Sequence, residues 1–365
     1  MGAYILRRLL LVIPTLFGVM VINFVLTQFV PGGPIEQIIA QMEGTGDVFE
    51  TIAGGGSENL AALDSEEAAG DSRYVGARGL PQEFIEELER EFGFDKPAWK
   101  RFVDMMWNYM RFDFGESYFR STSVVDLVIE KMPVSITLGL WSTLIAYIIS
   151  IPLGIRKAVY DGSTFDSVTS GAIIVGFAIP GFLFAILLVV LLAGGSYLQI
   201  FPLRGLTSEG WEDMSLIGKA LDYLWHIALP VFASSIAGFA GLTLLTKNSF
   251  LDEIKKQYVI TARAKGLTEG RVLYGHVFRN AMLIVIAGFP GLFLGVFFGS
   301  SLIIETIFSL DGLGRLGFEA AIARDYPIIF ATLFFFGLIG LLVGILSDLM
   351  YVFVDPRIDF ESRGG

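Results

Sequence analysis

Cysteine is absent from the 365 residues, and only two histidines occur, His226 and His276. The first absence excludes disulfides, thiolate metal sites and cysteine nucleophiles together. Two histidines fifty positions apart are too few for a histidine-built metal site without many carboxylate partners. Charge is also scarce: Lys, Arg, Asp and Glu make up 17% of the chain, against about 25% in an average soluble domain. In their place stand 53% apolar and 13% aromatic residues, for a mean hydropathy of +0.63. A globular core cannot hide that much apolar surface. Disorder, coiled coil and a freely soluble enzyme are excluded, and the chain belongs in a bilayer.

Six apolar stretches follow one another: Leu9–Val30, Ile136–Leu153, Val168–Leu192, Ile227–Leu245, Ala281–Ile304 and Ile328–Val354. They run 18 to 27 residues, the length a helix needs to cross about 30 Å of hydrocarbon. Lipid offers no partner for open backbone groups, so the spans are expected to be helical. The alternating pattern of a membrane β-barrel is missing. Arg7 and Arg8 ahead of the first run resemble a secretory signal, but no small-residue cleavage site precedes Pro31-Gly32-Gly33-Pro34, so a retained first helix is expected. Gly2 does not make a myristoylation signal, because Leu6 occupies the Ser/Thr position.

Six spans place both termini on one side. With the N-terminus inside, the inner segments hold 13 basic residues, whereas the two short outer loops hold only Arg204, Lys219, Arg315 and Arg324. The asymmetry satisfies the positive-inside rule. The expected architecture is an all-α integral membrane protein with six transmembrane helices and both termini cytoplasmic. Residues 1–31 carry the N-terminus and the first helix, and 32–132 form a long periplasmic segment. Residues 133–354 form a five-helix core with a cytoplasmic loop at 248–280, and 355–365 form a cytoplasmic tail.

The external segment holds 20 acids and 9 bases. Residues 42–80, with Gly54-Gly55-Gly56 and eight acids before Arg73, read as an acidic insertion. From Pro81, taken as a first-turn residue, Phe84, Ile85, Leu88 and Phe92 share a helix face. A further helix begins at Pro97 with Trp99, Phe102, Val103, Met106 and Met110 as its apolar stripe. Such a stripe packs on neighbouring helices or lies in the membrane interface.

In the inner loop, Ser249 and Asp252 resemble a helix-starting box. Phe250, Leu251, Ile254 and Tyr258 recur at helical spacing, Arg263 and Lys265 fall in the last turn, and Gly266 takes the position after the helix. Thr268 can cap a second helix with Glu269 in its first turn and Val272, Leu273 and Val277 on one face. Two short helices bent around a glycine make a projection suited to a protein partner, or an ordinary solvated loop.

Catalytic signatures fail. Gly312-Leu313-Gly314-Arg315-Leu316-Gly317 matches a dinucleotide fingerprint in letters but has no strand before it, and is expected to be a flexible turn. There is no phosphate loop, no G-x-S-x-G and no H-E-x-x-H in the chain. The spans hold almost no ionisable residue except Asp348, near the inner end of the sixth. A proton- or sodium-driven carrier would show several such groups near the midplane. A gated pore would show rings of charge or a carbonyl filter. What remains is a passive pathway driven from outside this chain, with no cofactor of its own.

Tyr258-Val259-Ile260-Thr261-Ala262-Arg263-Ala264-Lys265-Gly266-Leu267, followed by His276-Val277-Phe278-Arg279-Asn280-Ala281, resembles the cytoplasmic loop of binding-protein-dependent ABC importer permeases. It is most similar to the dipeptide/oligopeptide family, in which Thr261 stands where many other ABC permeases carry an acid. Matches extend through Ile5-Leu6-Arg7-Arg8-Leu9, Ile13-Pro14-Thr15, Asp95-Lys96-Pro97, Asp113-Phe114-Gly115-Glu116-Ser117 and Glu305-Thr306. They continue in Phe308-Ser309, Arg324-Asp325-Tyr326-Pro327 and Asp355-Pro356-Arg357. Asp311 departs from the proline usual before Gly312-Leu313-Gly314. The 42–80 insertion, Ser150–Tyr160 and Leu245–Phe250 look most like the Yej-type subgroup, linked to oligopeptide and microcin C uptake.

The resemblance implies a permease subunit at the bacterial inner membrane, in contact with membrane lipid. It implies a homologous second permease subunit, cytoplasmic ATP-binding subunits that hydrolyse the ATP, and a periplasmic peptide-binding protein; nucleic acid is not among the partners. Tyr258, Thr261, Ala262, Arg263, Ala264, Lys265 and Gly266 would couple this chain to an ATPase subunit. Asn23, Gln28 and Ser142 are polar candidates for the pathway, or equally helix–helix contacts. The rival classes are a secondary carrier or channel-type pore for small solutes, which ATP-independent flux by this chain alone would establish, and a membrane-anchored receptor.

Overall fold

The computed structural model describes residues 2–30, 32–42, 81–194, 197–295 and 301–354. The acidic insertion beyond Met42, and the 355–365 tail with its Asp355-Pro356-Arg357 motif, lie outside the described residues. In chain order the helices are α1 (Gly2–Phe29), α2 (Pro34–Met42), α3 (Gln82–Glu91), α4 (Ala98–Tyr109), α5 (Val124–Val159), α6 (Thr164–Ala178) and α7 (Gly181–Leu192). After a 3-10 turn at Trp211–Asp213 come α8 (Leu216–Ile254), α9 (Gln257–Ala264) and α10 (Glu269–Val272). A π turn, Leu273–Val277, leads into α11 (Phe278–Ala287) and α12 (Phe289–Leu294), followed by α13 (Ser301–Ile307), α14 (Leu313–Ala323) and α15 (Tyr326–Val354). Among the described residues the regular elements are all helical, with one isolated bridge between Glu116 and Ser123.

Among the described residues, five helical stretches are long and apolar enough to cross a membrane: Tyr4–Phe29, Val124–Val159, Leu216–Ile236, Glu269–Leu294 and Tyr326–Tyr351. A sixth exists only if α6 and α7, bent by 93°, count as one. The straight span expected over Val168–Leu192 is therefore corrected. Pro180 lacks the N–H an α-helix needs and pushes Ile179 into extended backbone, at ψ 120°. The expected Ala281–Ile304 run is displaced as well, because its helical stretch begins at Glu269. Pro81 and Pro97 sit at the caps of α3 and α4 rather than inside their first turns.

Contacts divide the chain into two compact units. One contains Met1–Ile13, Lys131–Arg315 and Leu338–Gly365. Within it, one core gathers Phe250, Val259, Val272, Val277, Ala281 and Val285, and another Leu138, Ala185, Leu188, Ile227, Val231 and Phe308. α5 meets α8 at Gly154, where a Cβ would stand 2.6 Å from the Thr246 side chain and 2.8 Å from the Thr243 carbonyl oxygen. Only hydrogen fits between these two helices. Asp348 is held by the Arg8 guanidinium at 2.9 Å and the Tyr4 hydroxyl at 3.0 Å.

The other unit contains Pro14–Glu130 and Leu316–Gly337. Ile35 and Ile39 of α2 pack on Leu88 of α3 and on Phe92. Phe102 of α4 lies against Phe17 and Phe24 of α1, at ring separations of 5.9 and 5.2 Å. Asp325, just ahead of α15, accepts hydrogen bonds from the Ser117 hydroxyl and the Tyr118 N–H. Burial still raises its carboxyl above the usual carboxylate range.

Candidate functional site

The loop expected to start a helix at Ser249 does not do so. Ser249 lies inside α8, whose 39 residues run unbroken to Ile254, and its hydroxyl donates to the Ala281 carbonyl at 2.6 Å. The helix ends instead at Lys255. Lys256 takes up extended backbone and α9 begins. Two contacts with Glu253 fold α9 back on α8: the Lys256 ammonium, and the Tyr258 hydroxyl donating at 2.7 Å. Burial first, and the adjacent Glu253 carboxylate, raise the Tyr258 phenol above its ordinary pKa, so it stays a neutral donor.

Gly266 ends α9 as expected. Its φ is +81°, its N–H donates to the Arg263 carbonyl at 2.9 Å, and the Leu267 N–H reaches the Ala262 carbonyl at 3.4 Å. These two bonds define a Schellman closure. Arg263 then grips Glu269 through two parallel bonds of 2.9 and 3.0 Å. Such an exposed pair bridges α9 and α10 but contributes little stability. Thr268 takes the cap position with extended backbone, without the expected side-chain bond.

Phe250, Val259, Ala262, Val272 and Val277 turn inward and are buried. Ala262 and Ala264, both expected to take part in coupling, do not share one surface. Residues two apart on a helix point about 200° apart, and Ala262 belongs to the chain's own core while Ala264 is exposed. The outer face of α9 carries Gln257, Ile260, Thr261 and Ala264, with Arg263 and Lys265 also exposed. Ile260 and Tyr274 are exposed apolar residues on this projection, and the sequence reading missed both. For Ile260 the signal was the i, i+3, i+4, i+7 spacing of positions 257, 260, 261 and 264.

Behind the hairpin stands a charged cluster that was also missed. Lys157, fully buried at the end of α5, pairs with Asp166 at 2.9 Å and donates to the Thr169 and Ser170 hydroxyls at 2.8 Å. Lys247 of α8 reaches Asp166 at 2.7 Å and Asp161 at 2.8 Å. The cluster joins the α5–α6 turn to α8 two turns before α8 ends.

The glycine-rich run at 312–317 is not a flexible turn. The buried Glu305 carboxylate accepts the Ser135 hydroxyl at 2.9 Å and the Arg315 N–H at 2.8 Å, and Ser135 in turn accepts the Leu313 N–H at 2.8 Å. Open N–H groups at the start of α14 are thus satisfied by side chains. A Cβ on Gly312 would stand 2.2 Å from a Glu305 carboxylate oxygen. Gly312→Ala is expected to destabilise by about 2 kcal/mol, as overpacking does; an unshifted thermal melt of the purified chain would refute this.

The pathway candidates fall in separate places. Ser142 is fully buried and donates to the Val231 carbonyl at 3.2 Å, a helix–helix contact. Asn23 donates to Val19 one turn back in its own helix at 2.8 Å. Gln28 accepts from Arg101 at 2.9 Å and lines a cavity of about 250 Å³ with Phe94, Asn108 and Tyr326.

These features define a polytopic helical membrane protein, with a stiff hairpin projecting from its longest helix. Residues 150–360 match the family model described as "Binding-protein-dependent transport system inner membrane component". The chain belongs to that family, the inner-membrane permease subunits of ATP-binding-cassette importers. It is 61% identical to the "Peptidoglycan transport system permease protein YejB" of Agrobacterium fabrum (strain C58) over the full length of both chains. Identity is 59% to the "Inner membrane ABC transporter permease protein YejB" of Escherichia coli O157:H7, again over all of both. It is 32% to the "Oligopeptide transport system permease protein AppB" of Bacillus subtilis (strain 168), over 99% of this chain and 100% of that one.

Proposed function

We propose that this permease passes oligopeptides across the bacterial inner membrane. The observation that carries the reading is end-to-end likeness to permeases named for peptidoglycan and oligopeptide transport. The two cargoes share a peptide chain, since peptidoglycan fragments carry a peptide stem. A homologous second permease completes the pathway, a periplasmic protein delivers the peptide, and ATP is hydrolysed in separate cytoplasmic subunits. One of these docks on the outer face of α9. Tyr258, Arg263 and Gly266 hold the hairpin in shape, Ala262 seats it on the core, and Thr261, Ala264 and Lys265 meet the ATPase.

The test is uptake of labelled di- to hexapeptides and of a disaccharide-linked stem peptide, in cells with and without this chain, together with sensitivity to microcin C. If neither peptide class depends on the chain, the reading fails. Free-peptide uptake alone, or stem-peptide uptake alone, fixes the cargo within it.

Counting α6 and α7 as one bent span gives six, and the charge asymmetry then puts both termini inside. Because the chain has no native cysteine, single substitutions report topology cleanly. Glu87→Cys on α3 is expected to react with an impermeant maleimide from the periplasmic side only, and Arg271→Cys on α10 from the cytoplasmic side only. The reverse pattern at either position would overturn the orientation.

A further inference from the structure

Helix α4 presents an arc of large apolar side chains that nothing among the described residues covers. Trp99 is 68% exposed, Val103 54%, Trp107 53% and Met110 64%. At 100° per residue these four fall within about 80° of the helix circumference. Phe112 follows with 62% exposure and a left-handed backbone at φ +59°, a conformation uncommon for a bulky residue. Its ring stands edge-on to Phe114 and Phe334, at 6.3 and 6.5 Å.

Depth comes from α1. Phe102, beside the exposed arc, touches both Phe17 and Phe24. Those residues stand twelve and five positions before Phe29, the last residue of α1, or about 18 and 7.5 Å along its axis. α4 therefore runs alongside a membrane span rather than above its end. Ile22, Val25, Leu26 and Phe29 of that span are themselves exposed, so the bare surface of α4 continues one that faces lipid. The far edge of the arc is basic: Lys100 is exposed, and the Arg111 guanidinium lies 4.4 Å from the centre of the Trp107 ring. Tryptophan at the boundary, with Lys and Arg reaching outward, is how a helix settles at a membrane interface.

We propose that α4 is an interfacial helix seated in the leaflet nearest Phe29, its Trp99–Val103–Trp107–Met110 face against phospholipid. The helix lies in the segment between the first two spans, and its apolar stripe suggested either helix packing or a place in the membrane interface. Lipid contact here anchors that segment independently of what the transporter carries.

Spin labels on Val103→Cys, Trp107→Cys and Met110→Cys test this, one at a time. The full chain with its co-purifying subunits is placed in phosphatidylethanolamine/phosphatidylglycerol bilayers, and the cysteine-free parent supplies the background signal. Collision with oxygen is expected to exceed collision with a water-soluble nickel chelate several-fold at these positions. The ratio should reverse for a label on Glu87→Cys of α3. Nickel access equal to that at position 87 would put the face in water. Shielding from both reagents would put it against a protein. Either result overturns the proposal.

Discussion

Gly266→Val is expected to cut peptide uptake roughly tenfold or more at normal membrane levels, because forcing a β-branched residue into a left-handed turn costs about 1–3 kcal/mol. Peptide-stimulated ATP hydrolysis should fall with it. No atom lies within 4 Å of where the new Cβ would stand, so the loss comes from backbone strain and not from a clash. The chain relieves that strain by opening the Leu267–Ala262 and Gly266–Arg263 bonds, which tilts α9 against α10. Asn tolerates the left-handed region, so Gly266→Asn should recover most of the activity. The inward and outward faces of α9 separate shape from contact. Ala262→Glu buries a charge in the core and should lower the melting temperature. Ala264→Glu and Ile260→Glu should leave the melt unchanged and still abolish ATPase stimulation. Normal uptake by Gly266→Val and Ala264→Glu together would show that this hairpin does not couple.

Asp166→Ala is expected to be the most destabilising single change away from the hairpin, at about 3 kcal/mol, the cost of leaving a buried charge without its partner. Removing the carboxylate deprives Lys157 of its ion pair and leaves Lys247 with Asp161 alone. Lys157 has no exposed surface through which water can compensate. Lys157→Met should be milder than Asp166→Ala, since Asp166 keeps Lys247 and the methionine fills the volume. A double-mutant cycle between positions 157 and 166 should show strong coupling. Additive effects would mean the two charges do not depend on each other.

The spans were legible because their signal is bulk apolarity, which survives any local detail. Their shapes were not. The 93° bend between α6 and α7 was announced only by Pro180, within a run whose hydropathy never falters. The end of α9 could be read from Gly266 because one residue type answers one backbone need. Its start could not, since Ser249 and Asp252 imitate a cap inside a helix that continues to Ile254. Gly312 to Gly317 read as loose because its rigidity depends on Ser135, 178 residues from Leu313, acting together with Glu305. The Lys157–Asp166–Lys247 cluster was invisible for the same reason: one member stands 81 residues from the next.

The unbroken course of α8 has a mechanical consequence. Its thirty-nine residues, with Pro230 among them, trace about 58 Å at 1.5 Å per residue. Its proximal end begins beside the Ser208–Asp222 contact, and its distal end carries Tyr258 through Glu253. A tilt of about 5° around the midpoint moves each tip about 2.5 Å, somewhat more than the 1–2 Å helix shifts that accompany many switching transitions. Any such tilt would carry the α9–α10 hairpin with the distal end. Gly154, where α5 meets α8 at Thr243 and Thr246, stands on the hairpin side of that midpoint.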